Sequence, residues 1–136
     1  DNGLPFRSIY SASKAAINRF SESLRLELIN TNIHCTVLSP GSIKTSIASN
    51  RLYAKVSKNS AYFSSYSNAV SDMNNHILKG VEPEKVSIKI EKLILEKKPK
   101  PHYKVGPMLE KMSSFIKFLL PQKLYEKLLA YHYNLK

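Results

Sequence analysis

The chain of 136 residues has little with which to cross-link itself. Its one cysteine, Cys35, excludes an intramolecular disulfide and a cysteine-rich zinc site. Four glycines beside seven prolines, with no G-X-Y period, exclude a collagen-like chain. No apolar run approaches the roughly 20 residues that a membrane-spanning helix needs. His34, His76, His102 and His132 are far apart and show no metal-ligand spacing. Acids are scarce: 10 Asp plus Glu stand against 21 Lys plus Arg, a formal net charge of +11. The opening D-N-G-L-P has neither an initiator Met nor a basic-then-apolar leader and reads as the interior of a longer sequence.

With 43% apolar and 23% charged residues, the composition is that of a globular chain, which excludes wholesale disorder. The positive charge is concentrated: residues 51–136 hold sixteen basic and seven acidic side chains, residues 1–50 only five and three. The lysines are interleaved with glutamates, as on solvated faces. Tyr125, Tyr131 and Tyr133 lie near lysines, but no helix-turn-helix, RNP or zinc pattern accompanies them, so no nucleic-acid partner is expected.

Residues 1–9 read as a loop. From about Tyr10 to about Ile29 the pattern is helical, with Ala12, Ala16, Phe20, Leu24 and Leu28 recurring every four residues and Asn18, Glu22 and Arg25 on the other side. Residues 33–38 are short, β-branched and apolar, which suits a buried strand holding an inert Cys35, and Ser39-Pro40-Gly41 breaks it. Residues 42–81 read as a mobile excursion with weak helical character near 49–58 and 66–79. Glu82-Pro83-Glu84 opens a helix that Lys97, Lys98 and Pro99 close. His102-Tyr103-Lys104-Val105 is a brief strand, and two amphipathic helices at 108–119 and 122–133 are split by Pro121. Alternating helices and strands indicate an α/β sheet with crossover helices, and two strands are too few to complete it.

Tyr10 and Lys14 are four residues apart, one helical turn, so both project from one face. A phenol is a poor proton donor or acceptor at neutral pH. Stabilising its phenolate that far takes roughly 4 kcal/mol, about what a unit positive charge ~4 Å away supplies at an effective dielectric near ~20. A Tyr–Lys pair at this spacing can therefore act as a general acid/base.

The full string is Tyr10-Ser11-Ala12-Ser13-Lys14-Ala15-Ala16, an amphipathic helix, a strand, and then Ser39-Pro40-Gly41-Ser42-Ile43-Lys44-Thr45. This order resembles the C-terminal half of the short-chain dehydrogenase/reductase family, with its Y-x-x-x-K pair and P-G-x-[IV]-x-T segment. The resemblance is firmest over residues 6–45. It implies an α/β fold, the C-terminal portion of a doubly wound Rossmann-type parallel sheet, in which residues 1–136 are part of one domain. Residues 46–81 would be the substrate lid and 108–136 an amphipathic basic tail. The implied activity is hydride transfer between NAD or NADP and an alcohol or carbonyl. Tyr10 would exchange a proton with the substrate oxygen, and Lys14 would hold the nicotinamide ribose and assist the tyrosine. Pro40, Gly41, Ile43 and Thr45 would line the nicotinamide, with the Ile43 backbone reaching its carboxamide. Tyr53, Tyr62 and Phe63 are candidate substrate contacts. The stretch Phe118-Leu119-Leu120-Pro121-Gln122-Lys123-Leu124 is similar to members acting on steroids, retinoids or other lipophilic alcohols. The parent enzyme is expected to be a homo-oligomer.

The family's glycine-rich turn, its N-N-A-G stretch and its catalytic serine have no counterpart in these residues, and Ser8 is too close to Tyr10 to be that serine. The N-terminal cofactor-binding half is therefore expected to be absent and the fragment alone inactive. Two other readings stand beside this one. The tail, with Leu109, Met112, Phe115, Ile116 and Leu119 opposite lysines, forms a membrane-surface or protein-interaction module. Alternatively, the chain is a catalytically inactive member of the family.

Overall fold

A computed structural model describes residues 2–135, apart from the side chains of Leu109, Ser113 and Ser114. The elements in chain order are α1 (Ser8–Glu27), β1 (Val37–Pro40), α2 (Phe63–Leu78), α3 (Pro83–Ile94), β2 (His102–Val105), α4 (Met108–Leu119) and α5 (Gln122–His132). The two strands pair in parallel, Val37 opposite His102 and Pro40 opposite Val105. Parallel neighbours need a long crossover, and residues 41–101 with α2 and α3 supply it. The chain thus has the expected α/β character, as part of a Rossmann-like fold.

Several boundaries differ from the sequence reading, beginning with α1, which runs from Ser8 to Glu27 where a loop to residue 9 and a helix to Ile29 were expected. The strand expected at 33–38 forms at Val37–Pro40. Its start is set by β2: the Val37 N–H donates to Pro101 O at 3.1 Å, and Pro99 and Pro101 have no N–H with which to extend the ladder backwards. Its end runs through Pro40 because the bonds to β2 fall on Val37 and Gly41, whose N–H donates to Val105 O at 2.7 Å. The missing Pro40 N–H faces the other edge. Cys35 is consequently half-buried before the strand, not inside it.

The weak helix expected at 49–58 does not form. Ser49 Oγ donates to Ser46 O at 2.8 Å and the Ile47 N–H donates to Thr45 Oγ1 at 3.4 Å, local bonds that compete with helix propagation. The helix expected at 66–79 starts earlier, at Phe63. The α3 helix opens on Pro83 as expected but ends at Ile94, short of Lys97 and Lys98. Beyond it the Lys100 N–H donates to Tyr103 Oη at 2.7 Å and Tyr103 Oη donates to Glu96 at 2.8 Å, a fold-back that replaces the last helical turn.

The covered face of α1 also differs. It runs through Ser11, Ala15, Asn18, Ser21 and Arg25, while Ala12, Ala16 and Phe20 are exposed. Among the described residues only Ser21, Ala69, Tyr125 and Tyr133 are buried. No described helix is long and apolar enough to cross a membrane.

Candidate active site

Tyr10 lies in the first turn of α1 and Lys14 one turn later. The helix has neither a side-chain cap nor an acid in its first turn, so no carboxylate there competes for Lys14. The Lys14 ammonium stands 5.5 Å from the centre of the Tyr10 ring. That is the one-face arrangement expected of the i,i+4 spacing. Tyr10 is 57% exposed, open to an incoming reactant.

The segment after β1 is held from three sides. On the β2 side Gly41 is bonded to Val105. On the side of the chain before α3, Val81 and Ile43 form a parallel bridge, in which the Val81 N–H donates to Ser42 O and the Lys44 N–H donates to Val81 O, both at 3.0 Å. On the α4 side Glu110 accepts the Ser42 N–H at 2.7 Å. In a parallel bridge the bonding groups on this strand belong to Ser42 and Lys44, so the N–H and C=O of Ile43 face away from Val81. Thr45 is exposed at the end of this segment, and Lys44 Nζ pairs with Glu82 at 3.0 Å.

The excursion is knitted together by aromatic hydroxyls. Tyr53 Oη donates to Ala48 O at 3.0 Å and accepts from Asn74 at 3.3 Å. Arg51 donates to Asn74 Oδ1 at 3.1 Å. Tyr53 thus ties the 46–54 loop to α2. Tyr62 is exposed and Phe63 half-buried at the start of α2. Sequence reasoning missed Tyr66, whose ring meets Phe6 edge-on at 5.6 Å and whose hydroxyl accepts the Ala54 N–H at 3.1 Å. Phe6 has a positive φ of 57° just before α1, and its contact with Tyr66 docks α2 on the loop that leads to Tyr10. A tyrosine one turn into an amphipathic helix was the available signal.

The tail divides. Just past the end of α5, Tyr133 is buried and its hydroxyl accepts from Arg7 at 3.2 Å, while His132 at the last position of the helix stacks on His76 at 6.0 Å, so α5 packs on the body. In α4, Met112, Phe115, Ile116 and Leu119 are exposed, and the Leu109 side chain lies outside the described residues.

A cleft of about 480 Å³ runs between α1, the two strands and the start of α4, lined by Asn18, Arg25, Ser39, Gly41, His102 and Lys104, among others. Of the expected site residues, Pro40 and Gly41 reach it and Tyr10, Lys14, Ile43 and Thr45 do not. Asn18 and Arg25, expected on the solvent side, face it. His102 Nε2 and Ser39 Oγ are 2.7 Å apart across the strands. Burial pushes the His102 imidazole below its ordinary value of 6.5, and the charges of Lys104 and Arg25 push the same way.

Residues 1–55 match the short chain dehydrogenase family. The chain is 28% identical over 135 residues to a 3-ketodihydrosphingosine reductase of Bacteroides thetaiotaomicron, covering 98% of this chain and 50% of that one. It is 33% identical over 131 residues to an uncharacterized oxidoreductase of Bacillus subtilis, covering 93% and 46%. It is 32% identical over 124 residues to a dehydrogenase/reductase SDR family protein 7-like of Drosophila melanogaster, covering 87% and 32%. The chain spans about half the length, or less, of these curated relatives. No solved structure matches it. The parallel strand pair, the Tyr10–Lys14 pair and these relatives together place the chain in the short-chain dehydrogenase/reductase family.

Proposed function

We propose that this chain is the C-terminal part of an NAD(P)-dependent oxidoreductase that interconverts an alcohol and a carbonyl. The observation that carries the reading is the Lys14 ammonium 5.5 Å from the Tyr10 ring on an open helix face. Tyr10 holds the proton that the substrate oxygen gains or loses, and Lys14 keeps a positive charge beside that phenol. The dinucleotide, when bound, supplies or takes up the hydride. Its nicotinamide end suits residues 40–45, because the Ile43 N–H and C=O are turned outward from the bridge to Val81 and can serve a carboxamide. Thr45 offers a hydroxyl nearby. The pyrophosphate has no glycine-rich turn among these residues, so the active unit includes a cofactor half beyond them.

A lipophilic substrate is the second element of the proposal. The similarity to a 3-ketodihydrosphingosine reductase over nearly the whole chain supports a long-chain keto or hydroxy lipid. The lid from 46 to 81, with Tyr53, Tyr62 and Phe63, would cover it. The exposed Phe115 and Phe118 of α4, near Lys111 and Lys117, favour contact of that helix with a membrane surface, from which such a lipid would be drawn. The active form is read as a homo-oligomer.

The test is made in the enzyme that contains this chain. Tyr10→Phe should lower turnover by roughly 100-fold or more while NADH or NADPH still binds, because the ring is kept and the transferable proton lost. Lys14→Met should weaken dinucleotide binding and lower turnover together. Turnover like the wild type from Tyr10→Phe would remove the tyrosine from the chemistry, and with it this reading.

A further inference from the structure

Glu110, in the first turn of α4, reaches across the fold to a residue 68 positions away. Its Oε2 accepts the Ser42 N–H at 2.7 Å and its Oε1 accepts Ser42 Oγ at 2.7 Å. Two glycines make room for that carboxylate. A Cβ on Gly41 would overlap Glu110 Oε2. Gly106 has a φ of +150°, and a Cβ on it would stand 3.1 Å from Gly41 Cα and 3.7 Å from Glu110 Oε2. Both glycines thus leave their Cβ positions empty beside one acidic side chain. The acid also sits in the first turn of α4, where the helix dipole suits a negative side chain.

We propose that Glu110 is a positioning residue that fixes the Ser42 peptide and, through it, the direction in which the Ile43 backbone presents its N–H and C=O. The two-point grip sets the Ser42 peptide plane from the α4 side. The paired bonds of Ser42 O and Lys44 N–H to Val81 set the segment from the opposite side. Between these holds Ile43 has little freedom to rotate. A carboxylate accepting a backbone N–H and a hydroxyl is a strong, charge-assisted clamp. This inference rests on the reading of residues 40–45 as the nicotinamide wall, where a small rotation of the Ile43 peptide would misdirect both of its polar groups.

The experiment compares Glu110→Ala and Glu110→Gln in the enzyme that contains this chain, by amide hydrogen exchange at Ser42 and by steady-state kinetics. Gln retains both contacts, its carbonyl accepting the Ser42 N–H and its amide donating to Ser42 Oγ. Glu110→Ala should speed exchange at Ser42 by roughly tenfold or more and raise the dinucleotide KM by about as much. The KM of the carbonyl substrate should stay near the wild-type value, and Glu110→Gln, which keeps the two contacts without the charge, should fall between wild type and Glu110→Ala in exchange and in dinucleotide KM. If Glu110→Ala does not fold, Glu110→Asp, too short to reach both atoms, takes its place. Unchanged exchange at Ser42 overturns the clamp. Faster exchange with no change in dinucleotide KM overturns the positioning role. A wild-type enzyme that binds neither NADH nor NADPH fails the functional reading instead, and exchange at Ser42 then decides the clamp by itself.

Discussion

One methyl group added at Gly41 should cost far more than its size suggests. The backbone there needs no unusual φ, so the penalty lies in the carboxylate: the new Cβ falls on Glu110 Oε2 and drives it off its two bonds to Ser42. Gly41→Ala should destabilise by about 1–3 kcal/mol, the usual range for overpacking a filled site. Urea denaturation would read it, and Gly3→Ala is the control, since nothing lies within 4 Å of a Cβ placed there. Equal midpoints for the two variants would mean that the carboxylate moves aside freely. That Tyr10 and Lys14 share one face of α1 was legible in the sequence because it depends only on spacing along the chain. Glu110 was not. It acts on a residue 68 positions away, and an acid in the first turn of a helix reads as ordinary dipole complementation.

Among the elements, the β1–β2 pair carries a pH signature. His102 is held below 6.5 by burial first, then by the positive charges of Lys104 and Arg25. Its neutral ring meets Ser39 across the ladder. Between 6.5 and the lower native value the unfolded chain binds more protons than the folded one. Stability should therefore fall as pH drops through 6.5 and be insensitive to this group above it. His102→Gln should flatten that part of the profile. The difference between wild type and variant is the quantity to measure, by urea midpoints above and below 6.5. Identical slopes would sink the assignment. The strands themselves were partly legible. His102–Val105 formed where the sequence placed it. The strand expected at 33–38 was displaced because a strand lasts only as long as its partner, and prolines before β2 shorten that partner. Apolar β-branched content indicated a strand but carried no information about its neighbour.

At the scale of the whole molecule, exposure is the dominant fact. A folded monomer of 15.4 kDa is expected to expose about 7,200 Å². This chain exposes 10664 Å². Part of the excess is apolar side chain: Ile17 and Phe20 on α1, Ile94 and Leu95 at the end of α3, and Phe115 and Phe118 on α4. The free edge of β1 adds unpaired backbone at Leu38, and Pro40 limits any further strand there because it lacks an N–H. The sequence signalled this state through a count, two strands where an α/β sheet needs more. It could not tell which helix faces would stay open, since α1 turns Asn18 and Arg25 inward and leaves Phe20 out. The 136 residues on their own should therefore associate in solution, unfold over a broad temperature range, and bind NADH or NADPH weakly or not at all. Sedimentation, calorimetry and dinucleotide titration would each report on this. A compact monomer with a sharp transition and micromolar affinity for either dinucleotide would show that the four side chains buried among the described residues and a two-stranded sheet suffice, and that the fold needs no further surface against these helices.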